Sequence, residues 1–115
     1  MTDVRENLIT FVAAVYGGND ISLQDEIKEY VEAHYDEVKD GVFQWLNKLK
    51  PMEKTVITEY NGLILGKKLG SKQLSETLGV PREKIRAIEE KGWKKLHKRK
   101  NKELILGKDW GKSKK

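Results

Sequence analysis

The chain has 115 residues and no cysteine. Disulfide frameworks, thiolate nucleophiles and thiolate metal sites are therefore excluded, and a reducing cytoplasm suits it. Histidine occurs only as His34 and His97, far apart and without CxxC or HExxH spacing, so neither a metal site nor a cofactor is expected. The two prolines, Pro51 and Pro81, leave long stretches free to be helical. Aromatic residues make up 8% of the chain, and hydrophobic residues (37%) barely outnumber charged ones (36%). A modest core spread over amphipathic helices follows. No apolar run approaches the roughly 20 residues of a membrane span, and no basic-then-apolar leader is present, so the expected setting is cytoplasmic with no membrane partner. Gly66-Lys67-Lys68 lacks the upstream glycine and the following Ser/Thr of a phosphate-binding loop. With no nucleophile–base pairing either, the chain is not read as an enzyme.

What is abundant is charge, unevenly placed. Residues 1–50 carry 5 Lys/Arg and 10 Asp/Glu, residues 51–90 carry 7 and 6, and residues 91–115 carry 11 and 2. The sums, −5, +1 and +9, give the formal net charge of +5. A basic end on an acidic beginning points to a polyanion at one end and a different partner at the other.

Taken in order, Val4, Leu8, Phe11, Val12 and Val15 recur at helical spacing until Gly17-Gly18-Asn19-Asp20 stops the helix. Ser22 and Asp25 resemble a capping box for a second helix, striped by Ile27, Tyr30, Val31 and His34 and otherwise acidic. His34 reads as an edge residue rather than a ligand. A third helix, from about Asp36 to Lys48, places Val38, Val42, Trp45, Leu46 and Leu49 on one side. Pro51 starts a fourth, with Met52, Val56, Ile57 and Tyr60 on one face, ending at Asn61-Gly62. The glycines of LILGKKLGS mark a connector with Leu63, Leu65 and Leu69 partly buried.

Ser71 then caps a short helix carrying Leu74 and Leu78. Gly79 turns the chain, Val80 is extended before proline, and Pro81 opens a helix reaching Lys98. On this last helix Ile85, Ile88, Gly92 and Leu96 share one side, while Glu83, Ala87, Glu90 and Lys94 point away. Two short helices joined by a glycine turn, the second increasingly basic, are written like a helix-turn-helix. Residues 101–115 are rich in Lys and Gly and read as a basic disordered tail, in which Leu104-Ile105-Leu106 and Trp110 are unusual and offer something to dock. The fold class is all-α: an acidic helical bundle over 1–49, a helix-turn-helix domain over 50–100, and the tail.

Residues 48–98 resemble region 4 of bacterial sigma factors of the sigma-70 family. Leu49, Glu53, Val56, Ile57, Tyr60 and Gly62 occupy the pattern of region 4.1. Arg82, Glu83, Lys84, Ile85, Arg86, Ile88, Glu89, Lys91, Lys94, Lys95 and Leu96 follow that of region 4.2. The resemblance implies that Arg82, Glu83 and Arg86 meet base edges in the major groove. Arginine pairs bidentately with guanine and glutamate accepts from cytosine N4. Ala87 stands where the family usually has Gln, leaving only an apolar contact to a thymine methyl. Ser71 and Lys72 at the first helix's start, with Lys84, Lys91, Lys94, Lys95 and Lys98, would meet phosphates. Residues 1–47 are too short and acidic for the sigma region that melts promoters, so the resemblance implies an isolated region-4 module of the kind found in small phage-type regulators. The expected partners are double-stranded DNA and RNA polymerase or a sigma-type protein, and a homo-oligomer is compatible. The alternative is a regulator that binds polymerase or an anti-sigma-type partner without reading DNA; another phage role, such as DNA-end recognition, stands third.

Overall fold

The computed structural model describes residues 3–107, and among these there are seven helices and no strand. Helix α1 (Val4–Gly17) is capped by Asp3, whose carboxylate accepts from the amides of Arg5 and Glu6, and it ends at Gly18, with φ 56°. Helix α2 spans Ile21–Ala33. Its cap is Asp20, whose side chain accepts from the Leu23 amide, and not the expected Ser22. Asp20 is equally competent as a cap and sits nearer the glycine stop. Helix α3 (Tyr35–Leu46) follows after a single residue, His34. Helix α4 (Pro51–Tyr60) begins on proline as expected, with the Lys50 amide donating to Glu53.

Helix α5 (Ser71–Leu78) takes Gly70 as its cap instead of Ser71; the Gly70 amide donates to Gln73 Oε1 at 3.2 Å. Helix α6 covers Arg82–Leu96, with Pro81 just outside it. The tail departs from expectation. Residues 101–106 are not disordered but complete an eight-residue helix, α7 (Arg99–Leu106), with Ile105 and Leu106 buried. Three consecutive apolar residues found a site to cover, and that burial outweighs the poor intrinsic prospects of so short a helix. Residues 108–115, with Trp110, lie outside the described residues.

The main core cluster draws on both sides of residue 50. Leu8, Phe11, Val12 and Val15 of α1 meet Ile27 and Val31 of α2 and Val38, Val42, Trp45 and Leu46 of α3. Ile57, Leu63, Leu96, Ile105 and Leu106 complete the same cluster. Trp45 is core, as its spacing predicts, and Phe43 packs partly buried against it. A second, smaller cluster of Val56, Leu74, Ile85 and Ile88 holds α4, α5 and α6 together.

Polar clamps fix what this packing leaves free. Asn7 Nδ2 reaches from α1 to the carbonyls of Gly62 (3.1 Å) and Gly66 (2.8 Å), pinning the connector. Gly62 and Gly66, whose carbonyls accept these bonds, have φ of 64° and 78°, as such tight turning requires. Leu63 is buried there, but Leu65, expected partly buried, is 75% exposed beside an exposed Ile64. At the far end of α6 the Tyr16 hydroxyl donates to the Leu96 carbonyl at 2.9 Å and Asn101 Nδ2 to the Lys95 carbonyl at 2.8 Å. Carbonyls at the helix end thereby accept side-chain hydrogen bonds from α1 and α7, the Lys95 carbonyl in addition to the Lys98 amide.

Helix α7 lies against α3 at Gly41, where a Cβ would meet the Leu104 carbonyl and come within 2.9 Å of the Ile105 Cα. Both are backbone, which cannot rotate aside. At Gly92 the obstacle is instead the terminal methyl of the Ile57 side chain, which can shift where backbone cannot. Gly41→Ala is therefore expected to cost about 1–3 kcal/mol, and Gly92→Ala distinctly less. Chemical denaturation of the two variants checks the order; equal midpoints would contradict the account of the α3–α7 contact.

Candidate nucleic-acid interface

The helix-turn-helix is built from α5, the 79–81 turn and α6. Gly79 has φ 67° and ψ 33°, a left-handed setting that favours glycine, and its amide bonds to the Ser75 carbonyl at 2.9 Å. The Ser75 hydroxyl donates onward to the Val80 carbonyl. Val80 and Leu78 lean on the small cluster, so the turn is held by packing as well as by hydrogen bonds.

Helix α6 has one buried stripe, Ile85, Ile88, Gly92 and Leu96. Gly92 lets Ile57 and Trp45 approach, so α4 and α3 both press on the middle of the helix. Helix α4 runs antiparallel to it: Glu53 near the start of α4 pairs with Lys95 at 3.7 Å, and Asn61 just past its end bonds Glu89 at 3.1 Å. The rotation of α6 is thus fixed, and with it the outward set. Arg82, Glu83, Lys84, Arg86, Ala87, Glu90, Lys91 and Lys94 are all exposed.

At 100° per residue Glu83, Ala87, Glu90 and Lys94 fall along the middle of the outward face. Arg82 and Arg86 line one flank, Lys84 and Lys91 the other. The predicted base-contact residues Arg82, Glu83, Arg86 and Ala87 are therefore gathered on the N-terminal half of one exposed face. Among the predicted phosphate contacts, Lys72 and Lys98 are exposed and Ser71 is half-buried at the start of α5. Lys95 stands apart: it is half-buried and turned toward Glu53 of α4.

Beside the arginine flank lies a cavity of about 480 Å³ lined by Tyr60, Arg86, Glu89, Glu90, Trp93 and Lys94. Its floor holds a residue that the sequence marks only as a pattern match. Glu89 Oε1 accepts from Trp93 Nε1 (3.0 Å) and Asn61 Nδ2 (3.1 Å). Its Oε2 is buried without a hydrogen-bond partner among the described residues. Burial pushes the Glu89 carboxyl above its usual range, opposed by the hydrogen bonds from Asn61 and Trp93. Glu89 thus ties α6 to the end of α4 at an electrostatic cost. An Asn near a helix end and a Trp four residues after a Glu were the available signals, but only the crossing of α4 and α6 joins them. Among the described residues no group of His, Cys, Asp and Glu could hold a metal ion, and no helix is long and apolar enough to cross a membrane.

A family model described as sigma-70, region 4 matches residues 45–98, closely the span that carries the resemblance. No curated protein and no solved structure matches the chain.

A carboxyl whose pKa is raised on folding favours the fold below its unfolded value and loses that contribution as pH rises through its folded value. The stability of the wild type relative to Glu89→Gln is therefore expected to fall as pH rises from the ordinary glutamate range into the range above it. Thermal melts of both proteins across that interval check it; a constant or rising difference would contradict the buried setting of Glu89.

Proposed function

We propose that the protein, whose residues 45–98 match the sigma-70 region 4 family model, is a sequence-specific, duplex-DNA-binding transcription regulator that acts with RNA polymerase in the cytoplasm. The observation that carries this reading is the outward face of α6. Arg82, Glu83, Arg86 and Ala87 are presented together near the start of a helix whose rotation is fixed by its buried stripe. In the major groove the two arginines pair with guanine O6 and N7, Glu83 accepts from a cytosine amino group, and Ala87 meets a thymine methyl. Lys84, Lys91, Lys94 and Lys98 set the register on phosphates, together with Ser71 and Lys72 at the start of α5. Lys95 contributes less than its sequence position implies, since it is engaged by Glu53.

The acidic part, residues 1–49, serves in this reading as the polymerase-facing side. Asp25, Glu26, Glu29 and Glu32 of α2 and Asp36, Glu37 and Asp40 of α3 are exposed. A surface of that sign is repelled by phosphate and leaves DNA to α6.

Random-site selection followed by titration on the selected duplex tests the proposal. Arg86→Ala is expected to lose about 1–3 kcal/mol of binding and to relax preference at one base pair. Lys94→Ala is expected to weaken all sequences alike and to shallow the salt dependence by about one unit. Binding that ignores salt and tolerates Arg82→Ala with Arg86→Ala, while polymerase is still recovered in a pull-down, would replace DNA reading with a protein-only role.

A further inference from the structure

Folding creates a basic surface that the sequence keeps some fifty residues apart. Lys48, just past α3, and Lys100, in the first turn of α7, line one concavity of about 380 Å³ with Glu103 and Leu104. Lys98 and Arg99 directly precede Lys100, and all four cations are exposed. One carboxylate faces them: Glu103 accepts from Arg99 Nε at 3.1 Å. Helix α7 is not free to carry these charges away, because Ile105 and Leu106 are buried and its backbone is seated on Gly41. Asn101 also bonds the end of α6, so the patch is rigidly joined to the recognition helix.

The dimensions of α6 indicate what meets this patch. Fifteen residues span about 22 Å, while the major groove is about 12 Å wide. With the first turns of α6 among the bases, its last turns overhang the groove wall, where a phosphate strand runs. Lys94 lies on the last turn of α6, Lys98, Arg99 and Lys100 follow in sequence just past its end, and Lys48 is brought beside Lys100. We infer that Lys48, Arg99 and Lys100 form a second phosphate-binding strip, outside the residues of the helix-turn-helix, that grips the duplex backbone flanking the base-read site. This rests on the proposed DNA-reading role of α6.

The test is a salt titration of the full chain on its selected duplex, comparing wild type with the double variant Lys48→Ala, Lys100→Ala. Both side chains are exposed, so the unfolding midpoint is expected to be unchanged. Loss of two phosphate contacts is expected to lower the log–log salt slope by about 1.8. The wild type then loses about tenfold more affinity than the variant between about 50 and 200 mM salt. Base preference in a repeated selection stays the same. An unchanged slope in a variant that still binds its duplex overturns the strip while leaving the role of α6 intact. A variant that binds DNA as the wild type does but no longer captures polymerase also overturns it, assigning the patch to an acidic protein surface. A wild type that binds no duplex overturns both.

Discussion

The face that α6 turns outward depends on how the helix is rotated about its own axis, and the burial of four residues sets that rotation. Ile85 and Ile88 belong to the α4–α5 side, Leu96 to the main core, and Gly92 is the gap through which Ile57 enters. Hydrophobic burial is not directional, but spaced every three or four residues along a helix it specifies a single face. Glu89 adds direction through its bonds to Asn61 and Trp93. Turning α6 by one residue's worth would bury charge and expose the stripe, so the outward set of Arg82, Glu83, Arg86 and Ala87 follows from the core.

The N-terminal helices then act as a brace rather than a separate appendage. Tyr16 of α1 caps the end of α6, Asn7 holds the connector, and α3 receives α7 against Gly41. A short helix-turn-helix has little core of its own. Here the smaller cluster has only four buried residues, Val56, Leu74, Ile85 and Ile88. Much of the stability of the helix-turn-helix is therefore borrowed from the bundle. An acidic outer surface on that bundle and a basic one on α6 and α7 give the molecule two faces suited to different partners.

Most of this was legible in the sequence where the signal is local. Proline at 51 and 81, glycine at 18 and 79, and the stripe of α6 place elements within a residue or two of their observed bounds, because caps and periodicity act over a single turn. The outward set of α6 was legible for the same reason. What was not legible depends on contacts between distant segments. Helix α7 looked like part of a lysine-rich tail because eight residues are too few for an independent helix. Only the surface offered by α3, smooth at Gly41, makes it fold. The Asn61–Glu89–Trp93 network and the Lys48–Lys100 juxtaposition join residues whose proximity no periodicity encodes. The capping shifts at Asp20 and Gly70 have a smaller cause: two residues one or two positions apart could each cap, and the neighbouring turn chose between them.

The most direct measurement of the central claim, that α6 presents one fixed face to DNA, is a nuclear magnetic resonance titration of isotopically labelled protein with its selected duplex. The account predicts that resonances of Arg82, Glu83, Arg86 and Ala87 shift most, with Lys91 and Lys94 following and the acidic outer face of α2 unmoved. Shifts concentrated on α2, or on the buried stripe of α6, would contradict it.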